Sequence, residues 1–427
     1  MSHMKVFIES YGCTFNQADG QIIAGNLQEN NIEIVDSIDE ADVVIVNTCY
    51  VKLPTEDKMA YRIQKLQKEY PDKKVIVGGC MVEIDSEKLN KIGPDLSWIG
   101  PHQLNKSASI VTATYCGEKI RETGFSKESK VCVPKSKNDT LIHILQICEG
   151  CLGACTFCCT RFARGPLNSY PIDDIVAEAR DAIENGACEI QLTAQDTAAF
   201  GRDTGEKLSD LIKEVANLNG DFRVRVGMMH PKNILNDVDE IIDAMKHPKV
   251  YDFIHLPVQS GSDKVLSDMR RGHSISQYKE IVSKFKNEIP NLTLATDIIV
   301  GYPTESEEDF NQTVELLREI KPSLIHLSKY QHRIGAISSS LTEIPPQIMK
   351  KRSKFLSKIK EEITEEENQE LVNSIQNVLV VEKGSKGGYI AKTNSYIPVI
   401  VDDVELGTFV DVKITEATST YLKSELL

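Results

Sequence analysis

Between Leu141 and Lys329 six short apolar runs recur: Leu141–Ile147, Glu189–Thr193, Arg223–Met228, Asp252–Val258, Leu292–Val300 and Leu324–Lys329. Their starts lie 29 to 48 residues apart. A hairpin turn needs no such interval, whereas parallel neighbours need a crossover of a dozen or more residues, usually a helix. Six βα units are too few for a closed eight-fold barrel, so the expected form is an open, partial (β/α)6 barrel. Upstream, Val6–Ile8, Val43–Val46 and Val75–Val77 alternate with amphipathic stretches at Asp19–Gln28 and Thr55–Glu69, the pattern of a parallel α/β sheet. Residues 101–139 are polar and irregular and read as the tail of that sheet plus a linker.

After Pro345-Pro346 a helix is expected over roughly Ile348–Glu367, with Ile348, Phe355, Ile359 and Ile363 as its buried stripe. Its first half is basic, carrying Lys350, Lys351, Lys354 and Lys358, and its second half is acidic. The last sixty or so residues alternate β-branched residues with turns such as Lys386-Gly387-Gly388, as in a small β-barrel. The expected organisation is α/β with three units, 4–130, 137–365 and 366–427.

No stretch approaches the roughly 18 uninterrupted apolar residues of a membrane span. Nothing at the start resembles a signal peptide, and Met1-Ser2-His3 reads as an expression scar ahead of a native Met4. A cytoplasmic protein is expected. Eleven cysteines there point to metal binding or catalysis rather than disulfides. The net charge of −14 counts against a nucleic-acid partner, although an acidic average leaves room for a local basic face.

Cys151, Cys155 and Cys158 form a C-x3-C-x2-C set directly after the first barrel strand, at the end where barrels place their chemistry. Three thiolates on one tight loop can hold three irons of a [4Fe–4S] cube and leave the fourth open. A structural zinc site is the plainer alternative, and it lacks an obvious fourth ligand. Cys13, Cys49 and Cys80 are distant in sequence, yet each ends a predicted strand of one parallel sheet, beyond whose carboxyl edge ligands bind. Their contexts, Tyr11-Gly12-Cys13, Asn47-Thr48-Cys49 and Gly78-Gly79-Cys80, are small and turn-like, allowing close backbone approach to a bulky group. Three buried structural cysteines are the alternative. Cys116, Cys132, Cys148, Cys159 and Cys188 read as small apolar fillers.

The barrel triplet, with Phe157 before its last cysteine, resembles the radical S-adenosylmethionine (SAM) superfamily. The strand-end triplet with Tyr11–Asn16, together with Ala163-Arg164-Gly165, His255–Ser262, Met269–Gly272 and Thr296–Gly301, is similar to the methylthiotransferase family within it. The order of units also matches, the last being called TRAM. The resemblance implies two [4Fe–4S] clusters as catalytic metal centres, one on Cys13, Cys49 and Cys80 and associated with sulfur donation, the other on Cys151, Cys155 and Cys158. It implies two SAM molecules, one methylating the sulfur and one giving a 5′-deoxyadenosyl radical. Phe157, Gln195, Gln259 and Asp297, and more weakly Arg225, are the expected SAM contacts. Arg164, Arg270, Arg271 and Arg333 are expected at the RNA or at a SAM carboxylate. A sulfur source and an electron donor of reductase, flavodoxin or ferredoxin type are implied partners.

Val224–Pro231 looks most like the archaeal and eukaryotic branch, which acts on N6-threonylcarbamoyladenosine beside the tRNA anticodon. Two features depart from the family. Arg333-Ile334-Gly335-Ala336 stands where an Arg-Pro-Gly-Thr element is usual. From Glu366 onward five Lys or Arg face ten Asp or Glu, so the basic helix start (Lys350, Lys351, Lys354) is expected to share the RNA contact. Alternatives are an isopentenyl-type adenosine or a ribosomal-protein aspartate as acceptor, a radical-SAM methyltransferase, and, from another class, an iron–sulfur redox sensor.

Overall fold

The computed structural model describes residues 4–136, 141–384 and 387–427. Met1–His3, read above as an expression scar, Lys137–Asp139 of the linker and Lys386 of the expected turn lie outside the described residues.

The first unit is a six-stranded sheet of β1 (Lys5–Ser10), β2 (Glu33–Ile34), β3 (Val43–Thr48), β4 (Lys74–Gly79), β5 (Ser97–Ile99) and β6 (Arg121–Glu122). Its order is β2-β1-β3-β4-β5-β6 and every pairing is parallel. β3 is buried on both faces, which is why it reads as an unbroken apolar run. Separate apolar clusters cover the two faces, one around Val44, Val46 and Val77 and the other around Ile45 and Ile76.

The second unit begins with β7 (Ile142–Gln146) and a short antiparallel pair, β8 (Cys148–Glu149) and β9 (Asn168–Ser169). The remaining barrel strands are β10 (Glu189–Thr193), β11 (Arg223–Val226), β12 (Phe253–His255), β13 (Thr293–Val300) and β14 (Leu324–Lys329). They form two parallel three-stranded sheets, β7-β10-β11 and β12-β13-β14, joined by a bridge between Val224 and Val250. Six parallel strands in chain order make the open partial barrel expected from the spacing. One large core fills the space between these strands and their helices.

The helix Pro346–Gln369 buries Met349, Arg352, Leu356, Ile359 and Ile363. The expected stripe holds only in its second half: Ile348 and Phe355 are 40% and 47% exposed. Arg352 takes the inward position because Glu305 and Glu307 wait there for its guanidinium. Beyond it, β15 (Ile375–Lys383), β16 (Tyr389–Thr393), β17 (Pro398–Val401), β18 (Phe409–Ala417) and β19 (Leu422–Leu426) close into a barrel ordered β15-β16-β17-β19-β18. This barrel docks at the strand starts of the central unit. Lys392 pairs with the buried Glu189 at 3.0 Å, and Tyr396 packs against Tyr251 and Phe253. No helix among the described residues is long and apolar enough to cross a membrane.

Candidate active site

Cys13, Cys49 and Cys80 follow β1, β3 and β4, three neighbouring strands of one sheet. The Asn47-Thr48-Cys49 segment ties the three strand ends together. Asn47, fully buried, donates to the Asn16 carbonyl at 2.7 Å, and Asn16 donates in turn to the Tyr11 carbonyl at 2.7 Å. Thr48 turns the other way: its hydroxyl donates to the Gly78 carbonyl at 2.6 Å and accepts from the Met81 amide. The loop bearing Cys13 and the helix begun by Cys80 are thereby both fixed to the strand preceding Cys49. Gly12 has φ +98°, and a Cβ there would sit 2.7 Å from Cys49 Sγ. Only glycine lets the Cys13 loop come so close.

The second triplet sits on the loop after β8. Gln195 accepts from the Gly150 amide at 2.7 Å, fixing the entry to the loop. Thr156 is held from three directions: its hydroxyl donates to the Asp268 carbonyl and pairs with Tyr302, and its carbonyl accepts from Ser338. Phe157 is half-buried against Val265, Met269, Tyr302 and Tyr330. A Cβ on Gly153 would lie 3.3 Å from Cys151 Sγ and 3.7 Å from Cys155 Sγ. Two thiols thus flank a space that glycine leaves clear, a cradle fitting a cluster on this loop. Burial pushes the Cys151 and Cys80 thiols up to about 11, so both hold their protons until a metal displaces them.

The segment that follows the second triplet packs in the same buried cluster as Cys80 of the first. The helix Thr160–Arg164 follows the second triplet, and its Ala163 together with Cys159, the residue before it, is buried in the core of the first sheet. Arg164 is 1% exposed. It donates to Asp19 at 2.5 Å, to Glu149 at 2.9 Å and to Asn16 at 3.1 Å. It stacks over Phe15, and its charge pulls the Cys80 thiol down against burial. Lys130 completes this buried network, reaching Asp19 at 2.9 Å and Glu149 at 2.8 Å.

Arg333, 6% exposed, bridges the same interface. It pairs with Glu56 at 2.7 Å and donates to the Tyr50 carbonyl at 2.8 Å, one residue after Cys49. Arg164 and Arg333, expected at the RNA or at a SAM carboxylate, are both buried, and each guanidinium is paired with carboxylates inside the protein. Arg271 is also buried, donating to Cys155 Sγ at 3.4 Å and to the Pro257 carbonyl at 2.5 Å. Arg270 is exposed.

Arg225, expected at SAM, stacks instead over Phe253 and Tyr396 at 5.0 Å each. Tyr396 belongs to the C-terminal barrel and bonds Glu189 at the start of β10, the opposite strand end from the triplet. Gln259 has φ +78°, unusual for a side chain this long, and its backbone is held by bonds to Asp297 and Ile299 on β13. Asp297 Oδ2 lies 2.9 Å from His255 Nε2, with His326 beside them. His255 opened one of the family-like motifs without a role of its own, and His326 did not stand out in the sequence. The available signal was a polar residue inside an otherwise apolar strand, with β13 and β14 in a register that pairs Asp297 with His326.

Lys350, Lys351 and Lys354 are exposed and without ion pairs among the described residues. Of the cysteines read as fillers, Cys148, Cys159 and Cys188 are buried, whereas Cys116 and Cys132 are exposed and correct that reading. Neither lies on a packed strand or inward helix face, so nothing draws it into a core.

Residues 5–100 match the uncharacterized protein family UPF0004, 145–317 the radical SAM superfamily and 369–427 the TRAM domain. A probable threonylcarbamoyladenosine tRNA methylthiotransferase of Methanothermobacter thermautotrophicus is 56% identical over 425 residues, all of either chain. The human threonylcarbamoyladenosine tRNA methylthiotransferase is 35% identical over 99% of this chain and 74% of its own. Among solved structures, the radical SAM methyltransferase TsrM of Kitasatospora setae superposes with a TM-score of 0.60 at 12% identity, over 79% of this chain and 77% of that one, a likeness of fold. With its three matched segments and full-length relatives, the chain belongs to the threonylcarbamoyladenosine tRNA methylthiotransferase family, within the radical SAM superfamily.

Proposed function

We propose that this chain converts N6-threonylcarbamoyladenosine beside the tRNA anticodon to its 2-methylthio derivative, using two [4Fe–4S] clusters and two SAM molecules. The observation that carries the reading is the pairing of two cysteine triplets in one chain, one at three neighbouring strand ends and one on the loop after β8, with Cys80 of the first and Cys159 just behind the second in one buried cluster. When bound, the clusters and SAM supply a carbon radical able to take hydrogen from an unactivated aromatic C–H, and the sulfur that replaces it. Cys13, Cys49 and Cys80 hold the sulfur-donating centre, and Cys151, Cys155 and Cys158 the centre that receives SAM. Phe157 and Gln259 line the SAM side, Arg271 steadies Cys155, and Gln195 positions the loop through Gly150. Three units, 4–130, 137–365 and 366–427, divide the work among sulfur donation, radical generation and RNA contact. A sulfur source and a reductase, flavodoxin or ferredoxin type of donor complete the turnover, which is expected to take place in the cytoplasm.

Mass spectrometry of tRNA nucleosides from the host with and without the gene tests the substrate. Loss of 2-methylthio-threonylcarbamoyladenosine alone is expected; loss of a 2-methylthio-isopentenyl nucleoside, or no change in tRNA, would overturn the assignment.

The exposed lysines of the helix Pro346–Gln369 extend RNA contact beyond an acidic terminal barrel. Changing Lys350, Lys351 and Lys354 together to glutamate is expected to weaken tRNA binding about tenfold or more and to flatten its salt dependence. Unchanged affinity in a filter-binding titration would remove this helix from the interface.

A further inference from the structure

Three adjacent barrel strands each put one polar side chain at the same place inside the barrel wall. His255 ends β12, Asp297 lies in β13, and His326 in β14 is its register partner. His255 Nε2 and Asp297 Oδ2 are 2.9 Å apart, the two histidine rings meet edge to face at 5.4 Å, and one donor or acceptor atom of each residue lies within 4.8 Å of the others. The group is not sealed in the core, since the His255 and Asp297 side chains are 15% and 27% exposed.

Two lysines from outside the barrel strands reach it electrostatically. Lys52 comes from the first unit, three residues after Cys49, and Lys360 from the helix Pro346–Gln369. Lys52 is exposed, and neither ammonium has an ion-pair partner among the described residues. Burial works to raise the Asp297 carboxyl, and the His255 hydrogen bond, with the charges of His255, His326 and Lys52 behind it, holds it below the usual carboxylate range. Burial lowers the His326 imidazole, against the pull of the Asp297 carboxylate. The group thus offers an ionised acceptor and imidazole nitrogens, with two ammonium groups in electrostatic reach that have no ion-pair partner among the described residues.

That set is complementary to one kind of adenosine substituent. A threonylcarbamoyl group carries ureido N–H donors, a hydroxyl and a carboxylate, whereas an isopentenyl group offers only hydrocarbon and would leave these polar groups desolvated and unpaired. We propose that His255, Asp297 and His326, flanked by Lys52 and Lys360, form the pocket for the polar N6-substituent. In it Asp297 accepts from the ureido or hydroxyl donors, and the lysines pair with the carboxylate. This rests on the substrate reading above and adds to it the residues that select the substrate.

The test is equilibrium binding of the cluster-loaded full chain to two anticodon stem-loops, identical except that one carries threonylcarbamoyladenosine and the other unmodified adenosine. The wild type is expected to prefer the modified loop about tenfold, a difference of about 1.4 kcal/mol. Lys52→Glu and Asp297→Asn are expected to bring the ratio near one, and Lys52→Arg to retain most of it, with iron content reporting that each variant is folded and loaded. An unchanged ratio in the variants, or no preference in the wild type, would overturn the proposal. So would an equal loss of both loops in Lys52→Glu, which would mark a phosphate contact. A stoichiometric divalent metal beyond cluster iron that disappears with Asp297→Asn would make the triad a metal site instead. The substrate reading fails on a different result: wild-type enzyme that binds the modified loop selectively and never methylthiolates it.

Discussion

Changing Cys151, Cys155 and Cys158 together to alanine is expected to abolish 5′-deoxyadenosine formation and to remove about one [4Fe–4S] cluster per chain, four irons in number. Changing Cys13, Cys49 and Cys80 is expected to remove a similar amount of iron while leaving reductive SAM cleavage in place. The asymmetry follows from placement. The first set is held by a loop after β8 that Thr156 and Gln195 fix to the barrel, and the second by three strand ends of another sheet. Neither set shares a ligand with the other, so each site should empty alone. Iron and sulfide analysis of anaerobically reconstituted variants, with chromatography of the SAM products, reads both effects. Loss of all iron in either variant, or loss of only one cluster when both sets are removed, would contradict two independent centres.

Arg164→Ala is expected to destabilise the interface by about 3–5 kcal/mol, because it leaves Asp19 and Glu149 buried with Lys130 as the one lysine or arginine paired with both among the described residues, beside the Gln146 amide at Asp19 and the His102 imidazole at Glu149. Arg164→Lys should recover part of this: it keeps the charge but loses the fork that reaches Asp19, Glu149 and Asn16 together. The readout is the midpoint of thermal or urea unfolding, compared with an exposed control such as Arg270→Ala. An Arg164→Ala midpoint equal to that control would show the network to be energetically idle.

The same network sets an acid limit. Burial works to raise the Asp19 carboxyl, and Arg164 and Lys130 overcome it and hold the group below the ordinary carboxylate range. A carboxyl depressed on folding contributes stability above its unfolded value and loses it as pH falls through the folded one. The interface is therefore expected to weaken on acidification below about pH 4, and more steeply in the wild type than in Arg164→Ala.

The parts of this protein legible in its sequence are those set by local periodicity. Six barrel strands and the ends of β1, β3 and β4 follow from apolar runs and their spacing, and the cysteines at those ends follow with them. Side chains whose partners come from another unit were not legible. Arg164 reads as a surface arginine until Asp19 and Glu149, 145 and 15 residues away, are brought against it. Arg333 likewise acquires its meaning from Glu56 across 277 residues. Ile348 and Phe355 fit a helical stripe by periodicity, yet the groove beside that helix holds Glu305 and Glu307, which select Arg352. His255, Asp297 and His326 come from three strands and become a group only through their register. In each case long-range pairing decides what local pattern leaves open.

The account rests most heavily on sulfur insertion at a threonylcarbamoylated adenosine. Anaerobically reconstituted full-length protein should be incubated with SAM, a low-potential reductant and tRNA carrying that nucleoside, and the digested tRNA analysed by mass spectrometry. Appearance of the 2-methylthio derivative together with 5′-deoxyadenosine is the expected result. Formation of 5′-deoxyadenosine with the threonylcarbamoyladenosine recovered intact would contradict the account.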